Sequence, residues 1–174
     1  MRCTMLIAMT AIVLSTASCG YSLSGSGAMH DGAGGAYNSI SIPIFTNDTF
    51  EPLIEYELTS ALKTEVAYNG RWAVTDSPGA GLKVAGRVAG FELLPLSYDI
   101  SERIQEYRLK ILMDVSVTDT ATGKVVWREA GMEAFADYRV TEDITKSKIN
   151  KSEAIKKASK NFSEEFVIKV LDIL

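Results

Sequence analysis

Residues 40–66 read ISIPIFTNDTFEPLIEYELTSALKTEV: a strand, a polar turn and an amphipathic helix in succession. Ile40, Ile42 and Ile44 alternate with Ser41, Pro43 and Phe45, the period of an extended chain with covered faces. Pro43 has no N–H, so one side of that strand is expected at a sheet edge or unpaired. Asn47, Asp48 and Thr49 turn the chain. Ile54, Leu58, Leu62 and Val66 then fall on one helical ridge, with Ala61 beside it. Pro52 suits the first helical turn, where its missing N–H costs nothing, with the cap expected between Thr49 and Glu51.

Downstream, Asn69-Gly70 marks a turn, Arg71 to Thr75 a short strand, and Asp76-Ser77-Pro78-Gly79 a break. Leu82 to Leu94 reads as a long strand. Leu82, Val84, Val88 and Leu94 share one face; Lys83, Ala85, Arg87, Ala89, Phe91 and Leu93 share the other. Gly86 and Gly90 suggest bending or the close approach of a packed helix. Pro95 to Arg103 reads as a loop. Glu106 to Thr118 alternates most regularly, with Tyr107, Leu109, Ile111, Met113, Val115 and Val117 on one side. Asp119 to Gly123 is a hairpin turn. Lys124 to Tyr138 returns, with Val125, Trp127 and Phe135 on one face and Val126, Arg128, Met132 and Tyr138 on the other. Arg139 to Ile149 is expected as a loop. Asn150 to Leu174 is a second helix, capped by Asn150 or Ser152, with Ile155, Ala158, Phe162, Phe166, Val170 and Ile173 as its stripe. Lys156, Lys157 and Lys160 lie outside the stripe, most simply as a solvated face. The expected fold is an α+β two-layer sandwich in the order βαββββα. Two amphipathic helices cover one face of a four- to five-stranded, mixed, mainly antiparallel sheet, with the first strand a candidate for parallel pairing.

Upstream, residues 1–18 carry the marks of an export signal: Arg2, an apolar run from Met5 to Leu14, and small residues Ser15 to Ser18 before Cys19. The run is too short for a membrane span. Small residues directly before Cys resemble the bacterial lipobox, with Thr16 where Leu is usual, which makes Cys19 the expected site of lipid attachment, palmitate included. Ordinary secretory cleavage leaving a free thiol is the alternative. Cys3 leaves with the signal, so the exported chain has one Cys and no internal disulfide. Gly20 in place of Asp favours the outer membrane under the enterobacterial sorting pattern. Residues 19–37 form a Gly-rich tether that includes His30, the only histidine, and residues 38–174 form a single domain.

Loss of Arg2 leaves 17 basic and 22 acidic side chains, a net charge of −5. Such a balance argues against nucleic acid as a partner. Nothing in the chain calls for catalysis, a cofactor or a metal: there is no nucleophile–base set, no His/Cys cluster and no phosphate loop. The sheet face opposite the apolar alternation is more informative. It is expected to hold Lys83, Arg87, Arg108, Lys110 and Arg128, with Phe91, Leu93, Leu112 and Met132 among them. Five cations on three adjacent strands suit a phosphate-bearing or other anionic partner. A polar face balanced by Asp and Glu is the plainer reading.

The start CGYSLSGSG, followed by SISIPIFTNDTFEPLIEYELTSALKTEV, resembles the LPS-assembly lipoprotein family typified by LptE. The shared pattern is Cys-Gly-Tyr, a Gly-rich tether, an I-x-I-P-x-F strand, Asn-x-Thr and a helix entered through Glu-Pro. TDTATGKVVW and the last helix match more loosely. The resemblance implies a periplasm-facing, lipid-anchored outer-membrane protein. It would assist assembly of an LptD-like β-barrel translocon and the delivery of LPS through it, with LPS bound on the basic sheet face. A periplasmic scaffold lipoprotein without LPS contact is the alternative.

Overall fold

The computed structural model describes residues 37–174. The signal segment, Cys19 and all but the last residue of the tether lie outside the described residues. Within residues 37–174 the order is β1 (Ser39–Ser41), β2 (Thr46–Asn47), α1 (Ile54–Asn69), β3 (Ala73–Val74), β4 (Leu82–Tyr98), β5 (Ile104–Asp119), β6 (Val125–Arg139) and α2 (Ile144–Leu171). The sheet runs β3-β1-β4-β5-β6, with β2 also on β4. β1 is parallel to both neighbours, and β4, β5 and β6 form an antiparallel meander. The two-layer α+β arrangement is the expected one, with six strands in place of four or five.

The additional strand comes from a break in the 40–45 segment. Ile40, Ile42 and Phe45 are buried, but Ile44 is 56% exposed and pairing lapses from Ile42 to Phe45. Pro43 removes a donor there. The Phe45 N–H instead donates to Thr59 Oγ1 of α1 at 3.0 Å. Its ring meets Phe162 of α2 edge-on, with centroids 6.2 Å apart. Gly86 makes room for that ring, since a Cβ there would stand 2.6 Å from Phe45. The close approach signalled by this glycine is therefore an aromatic ring, not a helix.

The ridge of Ile54, Leu58, Leu62 and Val66 is buried as expected, and Thr59 joins it. No side chain caps α1. Its cap position is Leu53 in the left-handed region, so Pro52 precedes the first turn instead of forming it. Asn47 holds the entry: its side-chain N–H groups donate to Glu51 O and Glu55 Oε2, and its Oδ1 accepts from Thr49. Gly70, at φ 76°, closes the helix at the expected Asn-Gly turn.

Two irregularities overturn the sequence assignment of faces. In β4 the register slips between Val88 and Gly90. Beyond it Phe91 pairs with Ile111 and Leu93 with Leu109, on the helix-covered side, while Leu94 pairs with Arg108 on the outer side. β4 also runs through Pro95 to Tyr98, where a loop was expected. In β6 an extra residue near Gly131 (φ 74°) opposes Asp114. Met132, Ala134, Ala136 and Tyr138 consequently face the core, and Phe135 faces outward, 40% exposed. Each bulge adds one residue, and one residue inverts every side chain after it.

α2 begins six residues earlier than expected. Asp143, not Asn150 or Ser152, is its cap, with its carboxylate accepting from the N–H groups of Thr145 and Lys146 at 2.8 and 3.2 Å. Ala158, Phe162, Phe166 and Val170 are buried, whereas Ile173 is 61% exposed. Trp127 packs edge-on against Phe166 at 5.2 Å. Both helices thus share one core with the inner face of the sheet.

Gly86→Ala is expected to cost about 1–3 kcal/mol by overpacking against Phe45. Gly81→Ala, whose new Cβ meets nothing closer than 3.5 Å, leaves the urea midpoint nearly unchanged. Combining Gly86→Ala with Phe45→Leu should recover part of the loss; strict additivity in the denaturation curves would contradict the packing account. Asp143→Ala is expected to cost about 1 kcal/mol. Amide exchange should speed up within residues 144–149 and stay unchanged around Phe162.

Candidate functional site: the outer sheet face

Lys83, Arg87, Arg108, Lys110 and Arg128 all lie on the sheet face away from the helices. They keep that side because Lys83 and Arg87 precede the slip in β4, Arg128 lies between Trp127 and the Gly131 bulge of β6, and β5 is regular through Arg108 and Lys110. Phe91, Leu93 and Met132 do not join them, since the bulges carry them inward. Leu112 stays on the outer face, and Leu94 and Phe135, 43% and 40% exposed, are added to it.

The five cations form two groups. Lys83, Arg87 and Arg128 surround the Ala85–Ser116 part of the face. Arg108 and Lys110 stand beside Leu94, Glu92 and Phe135. Four residues along β5 separate Lys110 from Asp114, or roughly 13 Å. Leu112 lies between the groups with Gly90 as its β4 partner, which leaves it open on that side, and Glu133 as its β6 partner.

Three of the cations already have carboxylate partners. Arg87 reaches Asp48 at 2.9 Å and Asp114 at 2.5 Å. Arg108 grips Asp137 with two parallel bonds of 2.7 and 2.9 Å, and Lys110 meets Glu133 at 2.5 Å. Lys83 and Arg128 have no ion-pair partner among the described residues. The pairs raise the Arg87, Arg108 and Lys110 pKa values, chiefly through hydrogen bonds to Asp48, Asp137 and Glu133 respectively. Hydrogen bonds from Arg87 and Gly131 hold Asp114 below the usual carboxylate range, and Arg108 does the same for Asp137.

Sequence reasoning placed the cations but missed most of the counter-charges. Asp114 was legible on regular β5. Glu133 and Asp137 reach the outer face only through the β6 bulge.

A second exposed feature is the far end of the β4–β5 hairpin. Among the described residues β4 has no partner on its free edge beyond Val88, and Leu96, Tyr98 and Ile100 are 42%, 61% and 105% exposed. Among the described residues no group of His, Cys, Asp and Glu is arranged to hold a metal, and no helix is long and apolar enough to cross a membrane.

Comparison with curated proteins gives no match. Among solved structures, rare lipoprotein B from Shewanella oneidensis aligns with TM-score 0.54 at 14% identity, over 78% of this chain and 95% of its own. The solution structure of lipoprotein B from Nitrosomonas europaea aligns with TM-score 0.54 at 14% identity, over 77% and 82%. At that identity the likeness is one of fold. The family model for lipopolysaccharide assembly, LptE, matches residues 37–170, nearly the whole described domain. The chain belongs to the LptE lipopolysaccharide-assembly family.

Proposed function

We propose that this chain is a periplasm-facing lipoprotein of the outer membrane, anchored through acylated Cys19 after removal of residues 1–18. It assists assembly of an LptD-like β-barrel translocon and the delivery of LPS through it, and its role is not enzymatic. The observation that carries this reading is the family match across residues 37–170. The names of the similar lipoprotein B structures agree with the anchor.

The proposed LPS surface is the outer sheet face. Phosphates of lipid A and core sugars would meet Lys83 and Arg128 directly and exchange with carboxylates at Arg87, Arg108 and Lys110. Leu94, Leu112 and Phe135 offer apolar contact between the charges. The end of the β4–β5 hairpin, with its unpaired edge and exposed Leu96, Tyr98 and Ile100, is the surface proposed for the barrel. The second reading is a scaffold lipoprotein without LPS contact. The ion pairs at Arg87, Arg108 and Lys110 favour it, because they leave the face close to charge balance.

Lys83→Glu with Arg128→Glu is expected to weaken LPS binding about tenfold or more, a loss of at least about 1.4 kcal/mol, with little change in melting temperature. Unchanged binding removes the face from consideration. The ion pairs of the face should stay formed between about pH 5 and about pH 9, so a change of binding in that window is expected to follow the second ionisation of the ligand phosphates, at about pH 6. Asp114 and Asp137 have depressed pKa values, so their ion pairs persist above the usual carboxylate range and dissolve only as pH falls through the lowered values. Lys110 titrates above its usual value and stays charged throughout that window.

Recovery of a β-barrel protein from mild-detergent membranes, lost on Tyr98→Glu, is the expected result for the barrel contact; no barrel with the native chain sinks it. Cys19→Ser should abolish palmitate labelling and release the chain from membranes.

A further inference from the structure

The free edges of the sheet are not finished alike. β3 is two residues long and runs into Asp76-Ser77-Pro78, too short to pair further. β6 is long, but α2 lies along it. Asn161 and Asn150 of α2 donate side-chain N–H groups to the β6 carbonyls of Phe135 and Arg139 at 3.4 and 2.9 Å. Lys169 of α2 pairs with Glu129 beside the Gly131 bulge. Such bonds, charges and bulges keep another strand off an edge. β4 beyond Val88 is the remaining edge. Among the described residues, no side chain of a helix bonds to the backbone of residues 90–95.

The ladder pattern shows which groups that edge presents. Near the two ends of β5, Gln105 O accepts from Val140 N–H and Asp119 N–H donates to Lys124 O, so odd-numbered β5 residues bond towards β6. Even-numbered ones bond towards β4, as Thr120 N–H does to Gly81 O. The β4 partners of Leu112, Lys110 and Arg108 are Gly90, Glu92 and Leu94. Phe91, Leu93 and Pro95 therefore turn their backbone groups to the free side. Each offers a carbonyl there, and Phe91 and Leu93 an N–H as well. Pro95 has none, which is why a proline is tolerated at this place in the strand.

We infer that the β4 edge from Phe91 to Pro95 takes up an extended segment of the barrel protein as an added strand. The identity of the partner rests on the reading of the β4–β5 hairpin end as the barrel contact, because this edge runs directly into Leu96 and Tyr98 of that surface. The surroundings suit a peptide. A groove of about 420 Å³ lies between residues 89–93 and the loop that carries Phe50, whose side chain is fully exposed. Phe91 and Leu93 line the groove. On the outer side, Glu92 is left without its β5 partner Lys110, which Glu133 engages. The added segment would set carbonyls opposite the Phe91 and Leu93 N–H groups, apolar side chains against Phe50 and Phe91, and a basic one beside Glu92.

Residue-resolved amide exchange tests this. In the isolated segment 35–174, a compact unit, the Phe91 and Leu93 amides should exchange about a hundredfold faster than those of Glu92 and Leu94. In the complex of the full chain recovered from mild-detergent membranes, both should slow at least about a hundredfold, with the β6 amides unchanged. Leu93→Pro removes the outward N–H and should cut barrel recovery at least about tenfold, whereas Leu93→Ala should cost at most about threefold. Should Leu93→Pro fail to fold, exchange in the native complex decides. A barrel recovered with Phe91 and Leu93 exchange unchanged overturns the strand addition and leaves the functional reading standing. No barrel recovered overturns both. Slow exchange of the two amides in the isolated segment overturns the inference as well, and a rise of that protection with concentration would assign the edge to a second copy of the chain.

Discussion

The ring of Phe45 seated over Gly86 is the contact on which the rest of the structure depends. It sits where three elements meet: the broken N-terminal segment, the inner face of β4 and Phe162 of α2. The same residue's N–H is bonded to Thr59 of α1. One residue therefore fixes the segment against the sheet and against both helices. This explains how strands of only three and two residues are held in place. Short parallel pairings give little stability of their own, so β1 and β2 depend on the buried side chains of Ile40, Ile42 and Phe45.

That anchor also orders the functional surfaces. With both helices on the inner side, the outer face of β4, β5 and β6 has no covering layer among the described residues. A sheet with one open face needs solubility there, and this one obtains it from crossed ion pairs. Arg87 spans from β4 to Asp114 on β5 and to Asp48 beside β2; Arg108 spans from β5 to Asp137 on β6. Such exposed pairs contribute little to stability individually. They do fix where the charges stand, and a fixed array matters to any ligand bearing several phosphates.

The sequence made the architecture legible because its strongest periodicities lie in elements that remain regular. β5 alternates without interruption from Tyr107 to Val117, and the stripe of α1 is undisturbed. The errors have local physical causes. A single residue inserted near Ala89 or Gly131 reverses the alternation, and alternation alone assigns the faces of a strand from sequence. Gly90 and Gly131 marked the places, but a glycine in a strand does not say whether a residue is inserted. The first two turns of α2 are not legible because their exposed residues carry no apolar period; only Asp143 ahead of them marks the start. Of the proposed site, the cations were legible. Their partners on β6 were not, since Glu133 and Asp137 owe their side of the sheet to the bulge.

The ion-paired state of the outer face bears directly on what it can bind. A lone phosphate at Arg108 must displace Asp137 from a two-bond grip, exchanging one exposed charge-assisted contact for another with little net gain. A ligand with several phosphates differs, because after its first contact the others are effectively intramolecular. Lys83 and Arg128 supply such a first contact without any displacement; they stand level with Thr118 and Ser116 of β5, so Lys110 of the second group lies roughly 20–27 Å further along the strand. Leu112, with Gly90 beside it on β4 and Glu133 on β6, leaves an apolar contact on the β4 side of the ground between the groups. A face so arranged would discriminate against small anions, in keeping with the large amphiphile with separated phosphates proposed as its ligand.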